Sequence, residues 1–139
     1  MSPQPPIRQT VLTVGGAEPG PLMVVSGGVH GDEWEGPLAV IRLFKELTPR
    51  SLQGTFVGLV VANVPAFDAA IHNSPIDGLS LNSVFPGDPE GSITRQIAYW
   101  MGQRFIGPSD FYVDFIPAVA TSRSPPWACT SRAPGEPPN

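Results

Sequence analysis

The stretch "VVSGGVHGDEWEGP", Val24 to Pro37, decides how the chain is read. The apolar pair Val24-Val25 gives way to three small residues, Ser26, Gly27 and Gly28. His30, Asp32 and Glu33 follow at once, and then Gly36-Pro37 opens a segment of different period. Val40, Leu43, Phe44 and Leu47 recur at i, i+3, i+4 and i+7, and Pro is tolerated in a first helical turn, so a helix is predicted from Pro37 to Leu47, ending before Pro49. The apolar run "PLMVVSGG" (Pro21 to Gly28) reads as a strand. "TVLTV" (Thr10 to Val14) alternates as a half-buried strand does and is expected beside it. "GTFVGLVVANV" (Gly54 to Val64) is a continuous apolar run suited to a central strand buried on both faces. Strand, helix and strand in this order imply a parallel crossover, and with it an α/β fold.

Downstream, Pro65 to Gly91 is rich in Pro, Gly, Asp and Asn and reads as a long loop, of the kind that lines sites. Ser92 opens a second helix in which Ile93, Ile97, Trp100, Met101 and Arg104 share helical spacing. "DFYVDF" (Asp110 to Phe115) reads as a last strand. After Phe115 the pattern breaks. Residues 116–139 hold Pro117, Pro125, Pro126, Pro134, Pro137 and Pro138 with Ser, Thr and Arg between them and no apolar period, and they are expected to be disordered. The expected organisation is a catalytic-domain portion over 1–115 and a tail over 116–139, most simply explained by a change of reading frame.

Composition narrows the function. Eight Lys and Arg against twelve Asp and Glu give a net charge of −4, which argues against a nucleic-acid partner. No apolar run approaches the ~18 residues of a membrane span, and the first residues lack the basic and apolar regions of a signal peptide, so a soluble cytoplasmic protein is expected. Cys129 is the sole cysteine, so a thiolate zinc cluster is excluded and any metal must rest on His and carboxylates. Eighteen Pro in 139 residues exceed the usual ~5%.

His30 and Glu33 form an H-x-x-E pair in a predicted strand-to-helix turn, at the edge where open α/β sheets bind ligands. Imidazole and carboxylate suit zinc, whose catalytic sites take three protein ligands and leave one position open. The alternative is that Asp32 and Glu33 are acids at a helix start and His30 a turn residue.

"GGVHGDEWEGP" followed by "ANVPAFDAAIHNSPIDGLSLNSVFPGDPEGS" resembles the succinylglutamate desuccinylase and aspartoacylase family, a branch of the zinc carboxypeptidase superfamily. The likeness runs from Val24 to Phe115. It implies a partial carboxypeptidase-like three-layer α/β sandwich, with a mixed central sheet and helices on both faces. It also implies one zinc ion held by His30 and Glu33, and hydrolysis of an amide bond in a small N-acyl amino acid or related compound. The loop with Asn63, Pro65, Ala66, Phe67, Asp77, Gly78, Leu81, Asn82 and Phe85 to Gly87 matches the segment that closes over the substrate's carboxylate end, which makes Asn82 a substrate-side residue.

Three departures stand out. Ser83 replaces the family's Arg after Leu-Asn, and His72 replaces a second Arg, so both bidentate carboxylate forks are absent. His72 is read either as a weak substrate-side or substitute-ligand residue or as an exposed loop His. Ile116 stands where the family supplies its third zinc ligand, a His; Asp114, on the same side of the strand, either reaches the metal or plays a structural part. The family's general-base Glu belongs to the second half of its domain, and neither Glu35 nor Glu46 replaces it, so no catalytic residue is assigned here. The chain is expected to be impaired as an enzyme. The alternatives are a remnant or binding module without turnover, and a peptidase sharing the H-x-x-E pair.

Overall fold

A computed structural model describes residues 6–117; the tail expected to be disordered lies outside them from residue 118 onward. Four strands form one sheet: β1 (Val11–Gly15), β2 (Glu18–Gly27), β3 (Gln53–Leu59) and β4 (Phe111–Phe115). Their order is β1-β3-β2-β4. β3 lies parallel to β2 and β2 parallel to β4, while β1 runs antiparallel to β3. The mixed sheet agrees with expectation. The expected pairing of the first two strands does not, because β3 inserts between them and takes a ladder from each.

Alternation along β2 assigns the faces. Val24 packs in a core with Leu59, Leu81, Ile97, Ala98 and Met101, whereas its neighbour Val25 packs on the opposite face with Val40 and Phe56. The second core lies under helix α1 (Glu35–Glu46), and the first under helix α3 (Ile93–Met101), which continues as a π-turn over Gly102–Ile106. Helices therefore cover both faces of the sheet, as a three-layer sandwich requires. Trp100, counted with the apolar stripe of α3, instead faces outward, with the Arg104 guanidinium 4.8 Å from its ring centre.

The segment read as one long loop is partly helical. β3 stops at Leu59, and α2 (Val64–Ala69) begins after Asn63, whose side chain accepts a hydrogen bond from the Ala66 amide. A short 3-10 turn covers Leu81–Ser83 and buries Leu81. Asp77 reaches across the remaining loop and accepts hydrogen bonds from the Thr94 amide (2.9 Å) and hydroxyl (2.7 Å), capping α3 from outside the helix. Burial raises the Asp77 pKa, but the bonds from Thr94, Ser92 and Leu79 outweigh it and bring it down to about 2.

Candidate metal and substrate site

The turn between β2 and α1 carries the residues of interest, and its shape follows from its glycines. Gly28 has a φ of 64°, open to glycine at little cost. At Gly31 a β-carbon would collide with the backbone carbonyl of Ala66 in α2. The turn is tied on its far side as well: the Ala62 and Asn63 amides donate to the Gly27 and Gly28 carbonyls (both 2.9 Å), and the Gly31 amide donates to the Ile71 carbonyl (3.1 Å). Buried Asn63 adds a side-chain bond to the Val29 carbonyl (3.3 Å). The backbone from Gly27 to Gly31 is thus held by the segment that follows β3.

On this turn His30 is buried and its Nδ1 lies 3.0 Å from Glu33 Oε1. Both Asp32 and Glu33 precede α1, whose first turn contains Glu35 as its acid. Asp32 contacts His72, Oδ1 to Nδ1 3.2 Å, across 40 residues of chain. The His72 ring stacks on that of His30 with centroids 3.8 Å apart and planes 14° apart. One donor atom from each of His30, Glu33 and His72 falls in a group no wider than 4.8 Å.

These residues fit a zinc ion. Ligand atoms of a tetrahedral zinc site lie roughly 3.3 Å apart, given bonds of ~2.0–2.2 Å. The His30 to Glu33 separation is close to that edge. His30 Nε2 is buried without a partner among the described residues, and an ion held on Nδ1 leaves it so. Two imidazoles and a carboxylate are zinc donors.

Asp114 is not in this group. Its Oδ1 accepts a 2.6 Å bond from the buried Ser26 hydroxyl, which also lies 2.7 Å from the Tyr112 hydroxyl. Burial pushes the Asp114 carboxyl above its ordinary pKa, against the Ser26 bond and the nearby charge of His30. Burial likewise raises Tyr112. The structure gives Asp114 a bonded place on the sheet. Asn82 is exposed, its Oδ1 accepting from the Ser80 hydroxyl (2.6 Å) and the Ser83 hydroxyl (3.2 Å). It borders a cavity of about 210 Å³ with Val29, Phe85, Ile106, Tyr112 and Asp114. A larger cavity of about 890 Å³, between Ile7, Pro65 and Trp100, touches none of His30, Glu33 and His72, so size alone does not locate the site.

The Succinylglutamate desuccinylase/Aspartoacylase catalytic domain matches residues 19–136, most of the chain. The chain belongs to the succinylglutamate desuccinylase/aspartoacylase family. That match runs beyond Phe115, where the motif-by-motif likeness stops. Among relatives, the chain is 40% identical over 95 residues to the N-alpha-acetyl-L-2,4-diaminobutyric acid deacetylase of Halomonas elongata, covering 68% of this chain and 28% of the relative. A family structure from Rhodobacter sphaeroides superposes with a TM-score of 0.69 at 36% identity, over 73% of this chain and 31% of that one. The product-bound ectoine utilization protein EutE (DoeB) of Ruegeria pomeroyi gives 0.70 at 34% identity, over 76% and 32%. The chain therefore spans about a third of these family members or less, and its fold is the corresponding part of the carboxypeptidase-like sandwich. No helix among the described residues is long and apolar enough to cross a membrane.

Two features of the site are not read from the sequence: the pairing of Asp32 with His72, and the use of Asn63 to fix the turn. Asn63 has a readable signal, an Asn two residues before a Pro at a helix start. Asp32 has none.

Proposed function

We propose that this chain carries the metal-binding turn of a zinc-dependent deacylase, acting in the cytoplasm on the amide bond of a small N-acyl amino acid or related compound, with impaired turnover. The observation that carries the reading is the 3.0 Å approach of buried His30 to Glu33 on a glycine-enforced turn at the end of a parallel strand. Zinc bound there supplies Lewis-acid polarisation of the scissile carbonyl and activation of water near neutral pH. The chain's own residues do the remaining work: Gly28 and Gly31 bring the turn against α2, Asn63 holds it, and Asn82 faces the substrate. Ile116 at the position of the family's third His and Ser83 at that of a carboxylate-binding Arg support impairment.

The cavity beside Asn82 contains the Asp114 carboxylate and no guanidinium. That polarity favours a substrate with an amine over one with an extra carboxylate, in line with the substrate in the Halomonas relative's name. The test pairs zinc analysis with turnover. The purified chain should retain zinc after dialysis against a weak chelator, and His30→Ala should lose it. Any slow hydrolysis should favour N-alpha-acetyl-2,4-diaminobutyrate over N-acetylaspartate. Unchanged zinc content in His30→Ala would refute the site. A second reading, binding without turnover, is favoured by Ile116 and would show as zinc retention with no product from either substrate.

A further inference from the structure

The chain has two histidines in all, His30 and His72. They are 42 positions apart, yet their rings stack at 3.8 Å. We propose that His72 supplies the third protein ligand of the zinc site, with His30 and Glu33, and that Asp32 holds it in place. The proposal rests on the reading of His30 and Glu33 as metal ligands and adds the residue that completes their set.

The backbone delivers His72 to the turn. Helix α2 is capped by Ala70, a left-handed residue with a φ of 51°, and Ile71 then bonds in two directions: its amide donates to the Ala66 carbonyl and its carbonyl accepts from the Gly31 amide. The side chain of the next residue falls over His30. A zinc-bound imidazole characteristically gives its other ring nitrogen to a carboxylate, which fixes the ring. Asp32 occupies that place at His72 Nδ1, leaving Nε2 as the donor to the metal. "HGDE" thereby has a use for each acid: Glu33 beside the first imidazole and Asp32 behind the second.

The competing donor is Asp114, and it is less available. Its carboxylate is bonded to Ser26 and lies outside the group of donors within 4.8 Å. Position 116, where the family places its own third ligand, is an Ile.

The stack itself is not the liganded arrangement. Nearly parallel rings 3.8 Å apart hold their in-plane lone pairs in separate planes that do not meet at one nearby point, so ligation requires the His72 ring to tilt. Its side chain is 54% exposed against 7% for His30, which leaves the second ring as the one with room to move. Ligation therefore opens the stack from the His72 side.

Ring nitrogen NMR on the full chain tests this directly, since two histidines give two assignable spin systems. Titration with zinc should shift the ring nitrogens of both residues with the same saturation point. A zinc-dependent shift confined to His30 would overturn the proposal and leave the wider reading standing. No shift in either would overturn both. Affinity by chelator competition gives the second arm, with circular dichroism to check folding of each variant. His72→Ala and His72→Arg should each weaken zinc at least about 100-fold, and Asp32→Asn about 10-fold or more, the range in which removal of an orienting partner falls. Wild-type affinity in folded His72→Ala and His72→Arg would refute the assignment.

Discussion

The turn that carries His30 and the edge strand β4 are built on opposite terms. From Val24 to Gly31 every residue is buried, and the backbone is held by Ala62, Asn63 and Ile71. β4 pairs with β2 along one side only, and Phe111, Val113 and Ile116 on or beside it are exposed, Phe111 by 55%. A site can thus be locally complete on a sheet whose border is not. The backbone bonds of the turn come from segments within about forty residues of it, whereas its burial also draws on α3 and β4. The border strand has one neighbour among the described residues, and an exposed apolar edge is a template for pairing with other chains.

The sharpest way to break the contrast is to damage the turn. Gly31→Ala forces a β-carbon into the Ala66 carbonyl, and backbone on both sides cannot yield cheaply. It should cost more than about 3 kcal/mol in urea unfolding, and a loss below ~1 kcal/mol would show that the turn is looser than its contacts indicate. Next in size is the remote cap of α3. Asp77→Ala should cost about 0.5–2 kcal/mol at neutral pH. Because the folded-state pKa of Asp77 lies at about 2, below its unfolded value, its stabilisation is present above pH ~4 and fades as pH falls through about 2. Melting temperatures of wild type and variant should converge over that interval; a constant gap would mean that the cap does not depend on charge. The smallest effect on stability is expected at the border. Phe111→Lys should change unfolding free energy by no more than about 0.5 kcal/mol and still reduce self-association, measured by light scattering. A large stability loss there would show that β4 is as tightly held as the turn.

What can be read from the sequence divides along the same line. The strand, turn and helix around His30 are legible because they are set by local chemistry: an apolar run, two glycines, and a 3.6-residue period beginning at a Pro. The four strands and the two longer helices follow from periodicity in the same way. Strand order is not legible, since β1 and β2 are close in sequence and nothing local reveals that β3 separates them. Helix α2 is hidden within a Pro- and Gly-rich stretch, although Asn63 and Pro65 mark its start. His72 looks unoriented in the sequence for a tertiary reason: its partners, Asp32 and His30, are 40 and 42 positions away.

The insertion of β3 between β1 and β2 has a consequence for synthesis. Neither earlier strand can form its ladder until Gln53 to Leu59 have left the ribosome, and the bonds that shape the His30 turn need Ala62, Asn63 and then Ile71. During translation the nascent chain therefore exposes "GGVHG" without the backbone partners of its turn for roughly forty residues of elongation, several seconds at rates of about 5–20 residues per second. The interval ends as α2 emerges, and the same residue that closes the turn's backbone, Ile71, is followed at once by His72.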